Sequence, residues 1–200
     1  EQADLLVLTG SNAAWTHPVL YRRIAKAKEA NKNLKIVVID PRRTATCDIA
    51  DLHLAIEPGT DSFVFSGLLN FVSQQGFVDN DFIKNSTEGF DIALDAVKDL
   101  SLSVLAENIG ISEQQLQTFY QWFCETDKAI TFYSQGINQS STGTDKCNAI
   151  INCHLATGKI GKPGMGPFSI TGQPNAMGGR EVGGLANMLA AHMDYSDQNT

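Results

Sequence analysis

The sequence has no apolar run approaching a membrane span, no C-x-x-C pair among its four cysteines, no G-x-G-x-x-G, and few basic residues. Each absence removes a class of protein. A spanning helix needs roughly 18 or more apolar residues in a row, so no membrane partner is expected. Cys47, Cys124, Cys147 and Cys153 fit no common zinc spacing, even with His154 beside Cys153. They read as reduced, partly buried thiols, for which a cytoplasmic setting is the simplest. The missing glycine fingerprint removes ordinary dinucleotide binding. Lys plus Arg number 15 against 22 Asp plus Glu, a formal net charge of −7, which argues against a nucleic-acid partner. Charged residues make up only 18% against 42% hydrophobic, so global disorder is excluded. The sequence also shows no signal peptide and no initial Met: Glu1 leads almost at once into Leu5-Leu6-Val7-Leu8. It reads as an excerpt of a longer polypeptide, whose targeting segment, if any, lies upstream.

Its 200 residues suit one large domain, or one with an appendage. Asp4–Thr9 is an apolar run of strand length that ends at Gly10. Pro18–Ala30 has helical periodicity, with Pro18 suited to the first turn. Lys35–Ile39 is a continuous β-branched run, as in a strand covered on both faces, and Asp40-Pro41 stops it. Strand, helix, strand makes a βαβ unit with a parallel crossover. Leu52–Ile56 reads as a further strand, Asp61–Gln75 as a helix, Ala129–Tyr133 as another strand and Thr144–Thr157 as another helix. Residues 77–126 read as helical, with starts at Asn80, near Ser101 and at Ser112, where Ser112 and Gln115 form a capping-box pair. From Gly158 the texture changes to dense Gly and Pro through Gly184, interrupted by Phe168, Ile170 and Met177, and 158–184 reads as a structured loop over a site. The fold class is therefore α/β: a parallel sheet with flanking helices, a helical insert and a Gly-rich C-terminal extension. The expected division is 1–157 and 158–200.

Ligands of open parallel sheets sit beyond the carboxyl ends of the strands, and here those ends are polar and glycine-bearing. After the first strand comes Thr9-Gly10-Ser11-Asn12, then His17-Pro18, where backbone N–H groups can face a phosphate. After the second comes Asp40-Pro41-Arg42-Arg43, a carboxylate for a ribose hydroxyl or guanine edge beside an Arg for phosphate. Pro58-Gly59-Thr60-Asp61 and Ser134-Gln135-Gly136-Ile137-Asn138-Gln139 follow the others. Each piece has an ordinary reading too. Asp61 suits a helix cap, Asp40 a turn, Arg42 and Arg43 a solvated pair, His17 a cap, His53 the sheet edge and His154 the core. Trp15 and Trp122 suit packing.

Together G-S-N, H-P, I-D-P-R-R-T-A-T and A-D-L-H-L-A-I-E-P-G-T-D resemble the molybdopterin oxidoreductases of the dimethyl sulfoxide reductase superfamily. The downstream T-G-K-I-G-K-P-G-M-G-P-F-S-I-T-G-Q-P-N-A-M-G-G-R-E-V-G-G-L-A-N resembles the assimilatory nitrate reductase branch. The G-G-R-E-V segment, one residue shorter than in the periplasmic type, favours that branch. The resemblance covers nearly the whole chain.

It implies that the parallel sheet is a Rossmann-like domain, a fragment of a catalytic subunit that holds bis-molybdopterin guanine dinucleotide with molybdenum and reduces nitrate, with the fragment alone inactive. Carried over by motif, Gly10 and Asn12 line the phosphate-facing turn, Asp40 and Arg42 contact the guanosine, and Gly59 and Asp61 sit near the guanine. Gln135, Gly136 and Gln139 approach the pterin and metal, while Gln173 and Arg180 lie at the active-site funnel. The remaining partners implied are the rest of the same polypeptide and an electron-donor protein or subunit. The family's 4Fe-4S cysteine motif and its molybdenum-ligating cysteine have no match in this chain, so no metal ligand is assigned. The alternatives are a formate dehydrogenase catalytic-subunit fragment and a non-catalytic nucleotide-binding module.

Overall fold

Alternation along a β-strand sends successive side chains to opposite faces, and this chain uses both. The computed structural model describes residues 1–170, 181–183, 189, 191 and 193. Within it β1 (Leu5–Thr9), β2 (Lys35–Ile39), β3 (Leu52–Leu54), β4 (Ala129–Tyr133) and β5 (Gly166–Ser169) form one sheet. Every pairing is parallel, and the order is β3-β2-β1-β4-β5. All five residues of β1 are buried. Leu5, Val7, Val37, Ile39 and Leu54 join one core cluster, whereas Leu6, Leu8, Ile36 and Val38 join a second on the opposite face. The continuous apolar runs are thus covered on both sides, as their composition implies.

The helices divide between these two faces. α1 (Ala13–Thr16) and α2 (Pro18–Ala30) follow β1, and α2 buries Ile24 in the second cluster. A 3-10 segment, Ala45–Ile49, links β2 to β3 and places Cys47 there as well. α3 (Asp61–Gln74), α4 (Asn80–Ser86), α5 (Phe90–Asp95), α6 (Leu102–Ile109) and α7 (Glu113–Glu125) lie between β3 and β4. The short α8 (Gln135–Asn138) and the longer α9 (Gly143–Ala156) lie between β4 and β5. α3, α6, α7 and α9 fill the first cluster with Phe65, Leu68, Leu105, Leu116, Phe119, Tyr120 and Ile150.

The expected helix starts are where the side chains place them. Asp79 accepts from Phe82 N at 2.9 Å, and Ser101 Oγ accepts from Val104 N at 3.4 Å. Ser112 and Gln115 complete a reciprocal capping box. Because α7 carries Phe119, Tyr120 and Phe123 into the core, Ser112→Ala is expected to cost about 1 kcal/mol. A urea denaturation series would read this, and an unchanged midpoint would show that the box contributes nothing. α5 opens at Gly89, whose φ of 73° places it in the left-handed region; the sequence reading did not separate this helix.

Three further differences stand out. β3 ends at Leu54 rather than Ile56. β5 forms inside the Gly- and Pro-rich stretch read as loop, pairing Ile130 with Gly166 through Tyr133 with Ser169. Trp15 is 77% exposed, so it packs no core, whereas Trp122 lies against the first cluster with Lys35 Nζ 4.5 Å from its ring centroid. The sheet belongs to one unit, Glu1–Ile170, and Thr171–Thr200 form another. Gln173, Met177 and Arg180 lie outside the described residues. Among the described residues no helix is long and apolar enough to cross a membrane.

Candidate functional site

From β1 the chain crosses to β2 on one side, and from β4 it crosses to β5 on the other. The carboxyl ends of β1 and β4 therefore bound a topological switch point, where such sheets bind ligands. Two glycines meet there. Gly136 N donates to Gly10 O at 3.0 Å. A Cβ on Gly10, which has φ +56°, would stand 2.8 Å from Ile137 N, and one on Gly136 would stand 2.7 Å from Gly10 Cα. Only backbone fits at this junction, and it floors an open cleft of about 590 Å³.

Asn12 leads out of β1. Its Oδ1 accepts from Thr46 Oγ1 at 3.0 Å, and Thr46 Oγ1 accepts from Ala14 N at 3.1 Å. The 3-10 segment thereby holds the amide carbonyl and leaves the donor end of Asn12 for a ligand. Asp40 follows β2 and is buried; its Oδ1 accepts from Arg42 N at 2.9 Å, closing the turn through Pro41. The Arg42 side chain is 77% exposed, with Nε 3.9 Å from Asp40 Oδ1. His53, on the edge strand β3, contacts Asp40 O through Nε2 at 2.9 Å.

Asp61 opens α3 without capping it, since Thr60 holds the N-cap position and no side-chain cap bond forms. Asp61 Oδ2 instead accepts from Lys146 Nζ on α9 at 2.7 Å, with the two side chains 8% and 4% exposed.

The cleft gathers Gly10, Asn12, Asp40, Arg42, Gly59, Asp61, Gln135 and Gly136 from the residues singled out in the sequence. Gln139 is exposed and lies outside its lining. The lining also includes Ser11 and Ser134, which the sequence reading named only as parts of their strand-end runs, and Thr16, Ser140 and Lys146, which it passed over. For Lys146 a signal existed: it stands four residues before Ile150 and seven before Cys153, both buried, so it is a charge on an apolar helical stripe. The hydroxyls of Thr9, Ser11 and Thr44 are buried without a hydrogen-bond partner. Such orphans call for an explanation, and Ser11 lines the cleft.

Away from the cleft, His154 is the core residue its helix implied. It is fully buried, with Nε2 2.8 Å from Thr131 Oγ1 and Nδ1 2.9 Å from Lys159 O. Lys159 Nζ donates to the carbonyls of Phe123 and Cys124, closing the end of α7. All four cysteines are free thiols. Burial pushes the Cys124 thiol up to about 11 and keeps the others raised, so none is a ready thiolate.

A parallel sheet in this order, with a polar glycine-floored crevice at its switch point, defines an open-sheet α/β protein with its crevice where such sheets bind ligands. Residues 1–199 match the model of the molybdopterin oxidoreductase family. The chain belongs to that family, and the family implies a molybdopterin cofactor. It is 58% identical over 195 residues to a nitrate reductase of Klebsiella oxytoca, an alignment spanning 98% of this chain and 22% of that protein. It is 36% identical over 196 residues to F420-dependent formate dehydrogenase 2 subunit alpha of Methanococcus maripaludis, spanning 98% of this chain and 29% of that one. Acetylene hydratase from Pelobacter acetylenicus superposes with a TM-score of 0.64 at 24% identity, covering 82% of this chain and 22% of that one, a likeness of fold.

Proposed function

We propose that this chain is the part of an assimilatory nitrate reductase catalytic subunit that grips the guanosine end of bis-molybdopterin guanine dinucleotide. The observation that carries the reading is the Gly10–Gly136 floor flanked by the carboxylates of Asp40 and Asp61 at the switch point. The similarity to a nitrate reductase at 58% identity, against 36% for a formate dehydrogenase subunit, supports nitrate over formate. When bound, the molybdenum cofactor supplies the two-electron oxygen-atom transfer that turns nitrate into nitrite.

The residues present fit such a group. The orphaned Ser11 hydroxyl and the free donor end of Asn12 suit phosphate oxygens. The exposed Arg42 guanidinium can pair with phosphate in two-pronged fashion. Asp40, with Oδ1 used in its own turn, has its second oxygen for a ribose hydroxyl. Asp61, with Gly59 beside it, offers an acceptor to the base, and Gln135 and Gly136 face the pterin side, while Gln139, outside the cleft lining, keeps its pterin role from the resemblance alone. Gln173 and Arg180 orient the nitrate anion, a task for which a planar guanidinium is suited. In the parent enzyme a 4Fe-4S cluster held elsewhere and an electron-donor protein deliver the electrons, in the cytoplasm.

Calorimetric titration of the purified chain with GDP tests the reading. Wild type is expected to bind saturably. Asp40→Ala should weaken binding about tenfold or more, because a charged hydrogen bond is lost. Absence of GDP binding, or equal affinity in a folded Asp40→Ala, would overturn it.

A further inference from the structure

We propose that Lys146 is a positioning residue that sets the base preference of the cleft. By fixing Asp61 as an acceptor-only carboxylate, it selects guanine, with two adjacent donors, over adenine. This rests on the nucleotide-binding reading above and adds to it a residue from a helix that no cofactor motif of the sequence includes.

The pair is built for orientation rather than for stability. Lys146 on α9 and Asp61 at the start of α3 come together across 85 residues of sequence, at 2.7 Å and almost fully buried. A buried ion pair contributes little over a well-packed apolar pair, since desolvation of both charges offsets their attraction. The two groups nevertheless line the cleft together. Lys146 spends one of its three N–H donors on Oδ2, which stops the carboxylate from rotating.

The chemistry of the pair then dictates the edge it reads. An ionised carboxylate accepts and cannot donate. With Oδ2 fixed by the ammonium, both oxygens keep lone pairs for a ligand that brings donors. Guanine presents N1–H and N2–H side by side, a two-pronged match to a carboxylate. Adenine presents its N1 lone pair in that place, against which a carboxylate is repulsive. Inosine keeps N1–H and lacks the amino group, so it falls between them. An Asp61 without its ammonium is free to turn, so its oxygens no longer stand as a fixed pair of acceptors against adenine.

The test is the affinity of the purified chain for GDP, IDP and ADP, measured calorimetrically in wild type, Lys146→Met and Lys146→Arg, with thermal melting of each. Wild type is expected to prefer GDP over ADP by about tenfold or more, with IDP intermediate. Lys146→Met should bring GDP and ADP to within about threefold of each other, and Lys146→Arg should restore most of the preference. A purely structural role would weaken all three nucleotides alike. If Lys146→Met does not fold, Asp61→Asn serves, because an amide both donates and accepts and should lose the preference in the same way. A GDP preference kept in Lys146→Met or in Asp61→Asn would overturn the inference. Equal binding of GDP and ADP by wild type would overturn it too, while leaving the nucleotide-binding reading standing. Failure of wild type to bind any of the three would remove both.

Discussion

Gly10→Ala is expected to lower the unfolding free energy by about 3 kcal/mol and to weaken GDP binding with it. Two costs combine. Gly10 sits at φ +56°, in the left-handed region, which costs a residue with a Cβ roughly 1–2 kcal/mol. Its Cβ would also stand 2.8 Å from Ile137 N and 2.9 Å from Gly136 C. Those are main-chain atoms, which cannot swing aside as a side chain does, and overpacking of this kind costs about 1–3 kcal/mol. Relief requires the ends of β1 and β4 to separate, and those ends form the floor of the cleft. Gly59 is the control: its φ is +93°, but an added Cβ would meet nothing within 4 Å, so Gly59→Ala should show the backbone cost alone. Urea denaturation of the two variants reads the difference. Equal losses would mean that the glycine junction is not a tight contact.

Acidification gives the second large effect. Burial holds the His154 imidazole down at about 4, against an ordinary 6.5. Lys159 O can only accept, so Nδ1 carries the proton, and Nε2 accepts from Thr131 Oγ1. Both nitrogens are satisfied in the neutral ring, and protonation would set an N–H against the Thr131 hydroxyl. The unfolded chain takes up its proton near pH 6.5 and the folded chain only near 4. Stability from this group is therefore complete above the unfolded value, falls as the pH drops from about 6.5 to about 4, and is flat below. The loss is on the order of 3 kcal/mol, at about 1.4 kcal/mol per pH unit. His154→Gln should flatten that part of the stability curve relative to wild type. Parallel curves for the two proteins would assign the acid sensitivity to carboxylates instead.

Most of the architecture was readable because its signals are local. Lys35–Ile39 and Ala129–Tyr133 are apolar runs bounded by breakers, and Asn80, Ser101 and Ser112 are polar starts before periodic segments. β5 was not readable, because Gly166-Pro167-Phe168-Ser169 has the composition of a loop. It is a strand because β4 offers it a ladder, with Phe168 against Phe132 at 5.9 Å between ring centroids. The same distinction holds at the cleft. Each strand end announced its own glycine or carboxylate, so Gly10, Asp40, Asp61 and Gly136 were found separately. That Gly10 touches Gly136, or that Asp61 is held by Lys146 rather than capping α3, depends on which strands and helices become neighbours. Sequence proximity does not carry that information. Trp15 failed for the opposite reason: a large aromatic suggests a core, yet α1 has only a short buried face, occupied by Ala13.

Among the described residues no strand pairs with the outer side of β5, and Pro167 governs what can happen there. Ile170 N donates inward to Tyr133 O at 2.8 Å, so by the alternation of a strand the nitrogen of residue 167 points outward. That nitrogen belongs to a proline and has nothing to donate. An extended segment approaching from outside, from another molecule or from a partly unfolded copy, finds a break in the ladder at the middle of a four-residue strand. A single imino acid thus guards the border of the sheet against templated strand addition.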